Sequence, residues 1–249
     1  MGCLKIVAFN GSPRGGRGAT SIMIENFLLG ARNGGAEVSS VVLVDKVIHS
    51  CLGSLYCWTK TPGRCILQDD MRELRKKVIE SDAILLATPL HFSGMTSIMR
   101  VFIDRLMPCF QPEISEETGQ VKLIFRDREK PLSLIVMASG SFSEKEAFVP
   151  LHSYFERWAQ NISGMQLDLE MYRSQADFLH NKNEEVHDAV SLYLSSLTKA
   201  GEQFAHSAKI SDDIRVQLEK PLADNKQYAR FFSDYWNSIF QVNGVNGGR

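Results

Sequence analysis

The chain has 249 residues, of which 44% are hydrophobic and 23% charged, with a formal net charge of −1. That length fits one large domain or a domain with a substantial appendage, and a charge so near zero gives no reason to expect nucleic acid or an anionic membrane as partner. No apolar run reaches the ~20 residues of a membrane helix, "MGCLKIVAFNGSPR" lacks a signal-peptide core, and five cysteines, an odd number, argue for a reduced cytoplasmic protein rather than a secreted disulfide scaffold.

In chain order, "LKIVAF" (4–9) ends at Asn10-Gly11 and predicts a buried strand followed by a turn. Residues 21–32 place Ile22, Ile24 (or Met23), Phe27 and Leu28 at helical spacing, and Asn33-Gly34-Gly35 stops the helix. "EVSSVVLV" (37–44) predicts a second strand. After a cysteine-bearing loop, 69–81 sets Met71, Leu74, Val78 and Ile79 on one helical face. Asp69 and Asp70 fall in its expected first turn, where the helix dipole favours negative charge. "AILLATP" (83–89) is the third strand, 97–107 a helix bounded by Pro108, and "VKLIF" (121–125) an inserted strand. "LSLIVMAS" (132–139) and "MQLDLEMY" (165–172) supply the fourth and fifth main strands, with helices at 148–162 and 184–208.

Strands that are apolar throughout, alternating with helices, imply a parallel sheet covered on both faces. Five such units predict an α/β, flavodoxin-like doubly wound five-stranded parallel sheet over residues 1–210. Residues 211–249 form a C-terminal helical extension in which "YARFFSDYWNSIF" (228–240) repeats aromatics at three- and four-residue steps. That stripe needs burial, against its own domain or a neighbouring subunit. The terminal "NGVNGGR" is expected to fray.

The sharpest local signal is "FNGSPRGGRGATS" (9–21), between the first strand and the first helix. Ligands of open parallel sheets collect beyond the carboxyl ends of the strands, where helix N-termini present free N–H groups. Ser12, Thr20 and Ser21 offer hydroxyls, Arg14 a fork for phosphate oxygens, and Gly18 and Ala19 backbone close to an anion. A Walker loop is excluded because Arg17 and Gly18 occupy its Lys and Ser/Thr positions, and the dinucleotide G-x-G-x-x-G is incomplete. What remains is a site for a terminal monoester phosphate, such as that of FMN, or a glycine-rich turn without ligand. After the third strand, Pro89, Leu90, His91, Phe92 and Gly94 can supply an apolar shelf and backbone N–H groups for a planar ring, with Ser139-Gly140-Ser141-Phe142, after the fourth strand, as the opposite wall.

With "GSPR…ATS" (11–21), "C…C…C…DDM" (51–71) and "ATPLHFSGMTSIMRVFIDR" (87–105) in this order, the chain resembles the NADPH-dependent FMN reductase group of flavodoxin-like proteins, especially its iron–sulfur flavoprotein branch. The resemblance covers roughly residues 4–172. It implies noncovalent FMN, a homodimer or homotetramer, and electrons drawn from NAD(P)H or a protein donor. It also implies phosphate contacts from Ser12, Arg14, Thr20 and Ser21, with Pro89, Leu90, His91, Phe92 and Gly94 lining the ring and Ser139 and Gly140 opposite. Ala19 stands where the family often has Asn, and His91 where Tyr is usual; His91 is either a flavin or substrate contact or a structural imidazole.

In "CLGSLYCWTKTPGRC" (51–65), Cys51, Cys57 and Cys65 match the first, third and fourth cluster cysteines of that branch, but Ser54 takes the second position. A cubane wants four thiolates and a serine alkoxide is a poor substitute, so the expectation is a loop packed by its thiols, with no metal. The Asp104-Arg105 pair is expected to pack a helix face, and His49, His152, His180, His187 and His206 show no ligand spacing. No general acid or base is assigned. The expected activity is an FMN-dependent oxidoreductase that passes electrons from NAD(P)H, docking transiently as co-substrate, to a small acceptor such as a quinone. The alternatives are an electron carrier reduced by a protein donor, or a flavin-binding regulatory protein without turnover.

Overall fold

Core strands that are apolar on both sides need a sheet covered twice, and the chain builds one. In the computed structural model, which describes residues 3–114, 119–180 and 184–242, β1 (Lys5–Asn10) leads to α1 (Ala19–Asn33), β2 (Glu37–Val42), α2 (Met71–Glu80), β3 (Ala83–Pro89) and α3 (Ser97–Asp104). Two short strands, β4 (Phe110–Ile114) and β5 (Val121–Phe125), precede β6 (Leu132–Ser139), α4 (Val149–Gln160), β7 (Ile162–Ser163) and β8 (Met165–Arg173). The helices α5 (His187–Ser207), α6 (Asp212–Glu219) and α7 (Asn225–Val242) follow. The fraying expected of 243–249 concerns residues outside those described.

The main sheet runs β2-β1-β3-β6-β8 with every pairing parallel, the doubly wound flavodoxin-like order that the sequence predicts. Side chains alternate between its faces. Ile6, Ala8, Leu85 and Met137 join α1 and α5 in one hydrophobic layer, while Val7, Phe9, Leu86 and Val136 join α2, α3 and α4 in the other. The chain steps outward from β1 to β2, then back across to β3, so a crevice opens at the carboxyl edge between β1 and β3. On the first face α1 and α5 approach until backbone nearly touches: a Cβ on Gly30 would lie 1.7 Å from the Thr198 carbonyl oxygen, and one on Gly201 1.9 Å from that of Phe27. Only glycine permits that approach.

Several boundaries differ from the sequence expectation. β2 stops at Val42, and Leu43–Asp45 turn in a single 3-10 coil. The predicted strand 121–125 exists but belongs to a second, three-stranded sheet, β4-β5-β7. β4 escapes sequence reading because its Pro112 argues against a strand and is tolerated only in a peripheral one. The second helix begins at Met71, so Asp69 and Asp70 precede it. Their carboxylates instead accept backbone N–H bonds, Asp70 from Val47 (2.8 Å) and Asp69 from His49 (3.0 Å) and Met71 (3.2 Å). α3 ends at Asp104 rather than 107, and α6 carries too short an apolar face, Ile214 and Leu218, to be legible by periodicity.

The C-terminal residues pack on the α1–α5 face. Ile214, Leu218, Leu222, Ala223 and Tyr228 are buried in its core. Arg173, 1% exposed, donates from Nη1 to the carbonyls of Lys220 (2.9 Å) and Leu218 (3.3 Å). Along α7 the aromatic stripe is buried only at its start, and Phe240 at its far end is half-buried. Tyr228 is buried, Phe231 and Phe232 are half-buried, and Tyr235 and Trp236 remain exposed. Among the described residues no helix is long and apolar enough to cross a membrane.

Candidate functional site

The carboxyl ends of β1, β3 and β6 meet around a crevice of about 360 Å³. Its floor is held from below. The Gly11 amide donates to the Ala87 carbonyl (2.7 Å), tying β1 to β3, and the Thr96 hydroxyl donates to the Gly11 carbonyl (2.7 Å) while capping the Met99 amide (3.2 Å). Buried Asn10 shapes the loop after β1. Its Oδ1 accepts from the Ser12 amide (2.9 Å), and its Nδ2 donates to the Gly15 carbonyl and the Ser21 hydroxyl, both at 3.3 Å. The loop thus folds on its own side chains and leaves Ser12, Arg14, Gly18, Ala19 and Thr20 lining the crevice.

Gly18 is the N-cap of α1. No side chain caps that terminus and its first turn holds no acidic residue, so its positive end faces the crevice without a built-in anion. A Cβ on Gly18 would come 2.7 Å from the Ser12 hydroxyl oxygen, which is why the loop and the helix start can lie so close. Thr20 reaches across to β6, its hydroxyl 3.0 Å from that of Ser139.

Pro89, Leu90 and His91 form the second wall, and Ser139 and Gly140 the third. These sequence-predicted residues converge, but three others do not. Ser21 is buried as the partner of Asn10, Phe92 projects fully into solvent, and Gly94 closes a tight turn with His91 through paired bonds of 2.8 and 2.9 Å. Phe92 and Ser93 adopt left-handed φ angles of 46° and 62° in that turn, and the turn carries the Phe92 ring away from the crevice. The amides of Leu90, His91 and Gly94, expected to face a ring, are spent on the carbonyls of Ser139, Gly94 and His91.

Ser141, which the sequence reading groups with Ser139 and Gly140, lines the crevice beside them, whereas that reading missed Pro13 and a fourth wall of Ala176, Asp177 and His180. The turn after β8 places the last three. Gln175, itself left-handed with φ 56°, accepts on Oε1 from the Leu222 and Ala223 amides (2.9 and 3.1 Å) and donates to the Ala223 carbonyl (3.0 Å). Asp177 accepts from the Ser141 hydroxyl on Oδ1 (3.0 Å) and from the Tyr228 hydroxyl on Oδ2 (2.8 Å); the latter also lies 2.6 Å from the Ser141 carbonyl. Burial, then the Asp177 charge, hold the Tyr228 hydroxyl above its ordinary pKa, so it stays a donor. Burial, then the Arg14 guanidinium, depress the His180 pKa, against a smaller opposing effect of Asp177. The rule that ligands gather at strand carboxyl ends, applied to the fifth core strand, was the available signal for this wall.

The cysteine loop lies elsewhere, around a pocket of about 80 Å³ lined by Cys51, Ser54, Cys57 and Cys65 together with Leu52, Leu55 and Arg105. Arg105, whose side chain is 1% exposed, pairs in bidentate fashion with equally buried Asp69 at 2.6 and 2.9 Å and donates to the His49 carbonyl at 2.5 Å. Asp104 bonds instead to Arg100 on the surface, at 3.1 Å. Burial and the neighbouring Cys65 and Cys51 raise the Cys57 pKa.

The model of the NADPH-dependent FMN reductase family matches residues 4–148, more than half of the chain. An iron–sulfur flavoprotein of Archaeoglobus fulgidus is 36% identical over 129 residues, 51% of this chain and 57% of that one. One from Methanocaldococcus jannaschii is 32% identical over 105 residues, 42% and 53% respectively. The chain thus spans about half the length of these curated relatives. The fold is shared with an NAD(P)H:quinone oxidoreductase from Methanothermobacter marburgensis (TM-score 0.59, 13% identity, 82% of this chain and 98% of that one). It is shared also with an FMN-dependent NADH-azoreductase from Bacillus anthracis (TM-score 0.56, 14% identity, 83% and 100%). The cluster in the relatives' name does not fit the donors here. Ser54 is exposed at the second ligand position, Cys65 lies against the Arg105 guanidinium, and among the described residues no group of three or more His, Cys, Asp or Glu is arranged to hold a metal ion.

Proposed function

Because the chain belongs to the NADPH-dependent FMN reductase family, we propose that it is an FMN-dependent oxidoreductase carrying electrons from NAD(P)H to a small, flat acceptor such as a quinone. The observation that carries this reading is the crevice itself: hydroxyls, a guanidinium and an uncapped helix N-terminus converge where a Cβ at Gly18 would collide with Ser12. These groups suit a phosphate monoester. Ser12, Arg14 and Thr20 hold that phosphate, Pro89 and Leu90 supply the apolar shelf, and Ser139 and Gly140 bound the other side. Bound there, FMN supplies the chemistry of accepting a hydride from nicotinamide and returning electrons to an acceptor.

The protein's own contribution is orientation. Thr96 and Gly11 fix the two binding loops relative to one another, and the Thr20–Ser139 contact fixes the third wall. No side chain in the crevice needs to exchange a proton with the nicotinamide, since hydride transfer depends on stacking and distance. Donor and acceptor use this crevice in turn.

The absorption spectrum of freshly purified protein tests the reading, because it shows flavin bands directly and would show the broad absorbance of a cluster beside them. Anaerobic NADPH or NADH is expected to bleach the flavin, and a quinone to restore its colour. Bleaching by a reduced protein donor alone would favour an electron carrier. Failure of the protein to take up FMN would remove the assignment.

A further inference from the structure

The wall after β8 brings a titratable group into the crevice that Arg14 also lines. His180 lines it together with Arg14, Ser12 and Thr20, and the guanidinium is near enough to add to burial in disfavouring the protonated imidazole. The position is built rather than accidental. Gln175 is buried and anchored to Leu222 and Ala223, Asp177 is clamped by Ser141 and Tyr228, and the His180 amide donates to the Asp177 carbonyl at 3.3 Å. Both Asp177 oxygens are occupied by hydroxyl donors, so its charge is partly neutralised beside an anion site.

We propose that His180 is a proton-linked phosphate contact: when a phosphate monoester settles against Arg14, the imidazole takes up one proton from solvent and contacts the anion from the wall after β8. The inference rests on the crevice being a flavin phosphate site and adds to it a residue and a proton.

The linkage has a definite sign. Without ligand, Arg14 and burial favour neutral His180, and Asp177 opposes them only in part. A dianionic phosphate cancels the Arg14 charge and gives the imidazolium a partner, so the bound state holds the proton to higher pH. Affinity therefore rises as pH falls between the free and bound pKa values, by at most about tenfold per pH unit for one linked proton. Below about pH 6 the ligand's own phosphate takes a proton and the gain levels off. His91, the other imidazole lining the crevice, belongs to the Pro89–Leu90 wall, and Tyr228 stays protonated throughout.

The full-length apoprotein would be titrated with FMN and with riboflavin, which lacks the phosphate, from pH 6.5 to 8.5 by flavin fluorescence. Calorimetry in buffers of different ionisation heat counts the protons. FMN is expected to bind several-fold tighter at pH 6.5 than at pH 8.5, with uptake of up to about one proton, while riboflavin shows no such slope. His180→Gln should bind FMN with a flat profile, its riboflavin affinity reporting whether the crevice is intact. An FMN slope that survives in His180→Gln, or that riboflavin shares, overturns the role of His180. Flavin binding without any slope does the same and leaves the oxidoreductase reading standing, whereas failure to bind either flavin removes both.

Discussion

Two loops leave the carboxyl edge of the same sheet from neighbouring strands, and they use their polar groups in opposite ways. The loop after β1 satisfies itself through buried Asn10 and turns Ser12, Arg14 and Thr20 toward the crevice. The longer segment after β2 draws a buried cation inward, and Arg105 spends its guanidinium on Asp69 and the His49 carbonyl. Beside it, Cys51 and Cys57 share a pocket with Leu52 and Leu55, while Cys65 lies against the guanidinium. The loop after β1 keeps its charge at an opening, whereas the segment after β2 takes charge up within.

Removing the inward-facing charge should have the largest effect. Arg105→Ala leaves Asp69 buried without its partner and is expected to lower stability by about 3–5 kcal/mol, read from denaturant unfolding. Arg105→Lys should recover only part of this, because an ammonium cannot reproduce the bidentate geometry.

The same pair predicts a pH dependence. Burial disfavours the Asp69 carboxylate, but hydrogen bonds from Arg105 and the His49 amide outweigh it and hold its pKa below the ordinary value. A depressed folded pKa gives stability that is full above the unfolded value of about 3.9 and is lost as pH falls through the folded value. Unfolding measured between pH 2 and 6 should therefore show an acid-labile component in the wild type that Asp69→Asn lacks. Equal slopes would place that lability in other carboxylates.

At the outward-facing loop, Gly18→Ala should push the Ser12 hydroxyl from its place and weaken FMN by roughly tenfold or more, about what one hydrogen bond to a charged group contributes. Riboflavin affinity should change much less, and an equal loss for both flavins would mean that the loop does not hold the phosphate. The smallest effect is expected from Tyr228→Phe, which removes one donor to Asp177 and should cost about 1 kcal/mol in stability. Its FMN affinity should fall a few-fold if the C-terminal helix helps to build the crevice.

Much of this was legible in the chain. The strand–helix alternation gave the five main strands within a few residues, because strands buried on both faces are apolar throughout. The crevice-lining loop after β1 could be read from Ser12, Arg14 and Thr20, since a turn between a strand and a helix is local. Ser21 and Phe92 were misplaced for one reason: sequence gives a residue's position but not its direction. Asn10 turns the Ser21 hydroxyl inward, and a left-handed turn throws Phe92 out.

By itself, then, the sequence determined the doubly wound sheet and the crevice-lining loop after β1, because hydrophobic periodicity and turn chemistry act over a few neighbouring residues. Only the tertiary structure decided that Asp69 belongs to Arg105 rather than to a helix dipole, and that Asp177, His180 and Tyr228 belong to the crevice. Those partners lie 36 residues apart for Asp69 and Arg105 and 51 for Asp177 and Tyr228. Packing of the closing helices on the α1–α5 face brings the second pair together, and no local pattern encodes a contact of that range.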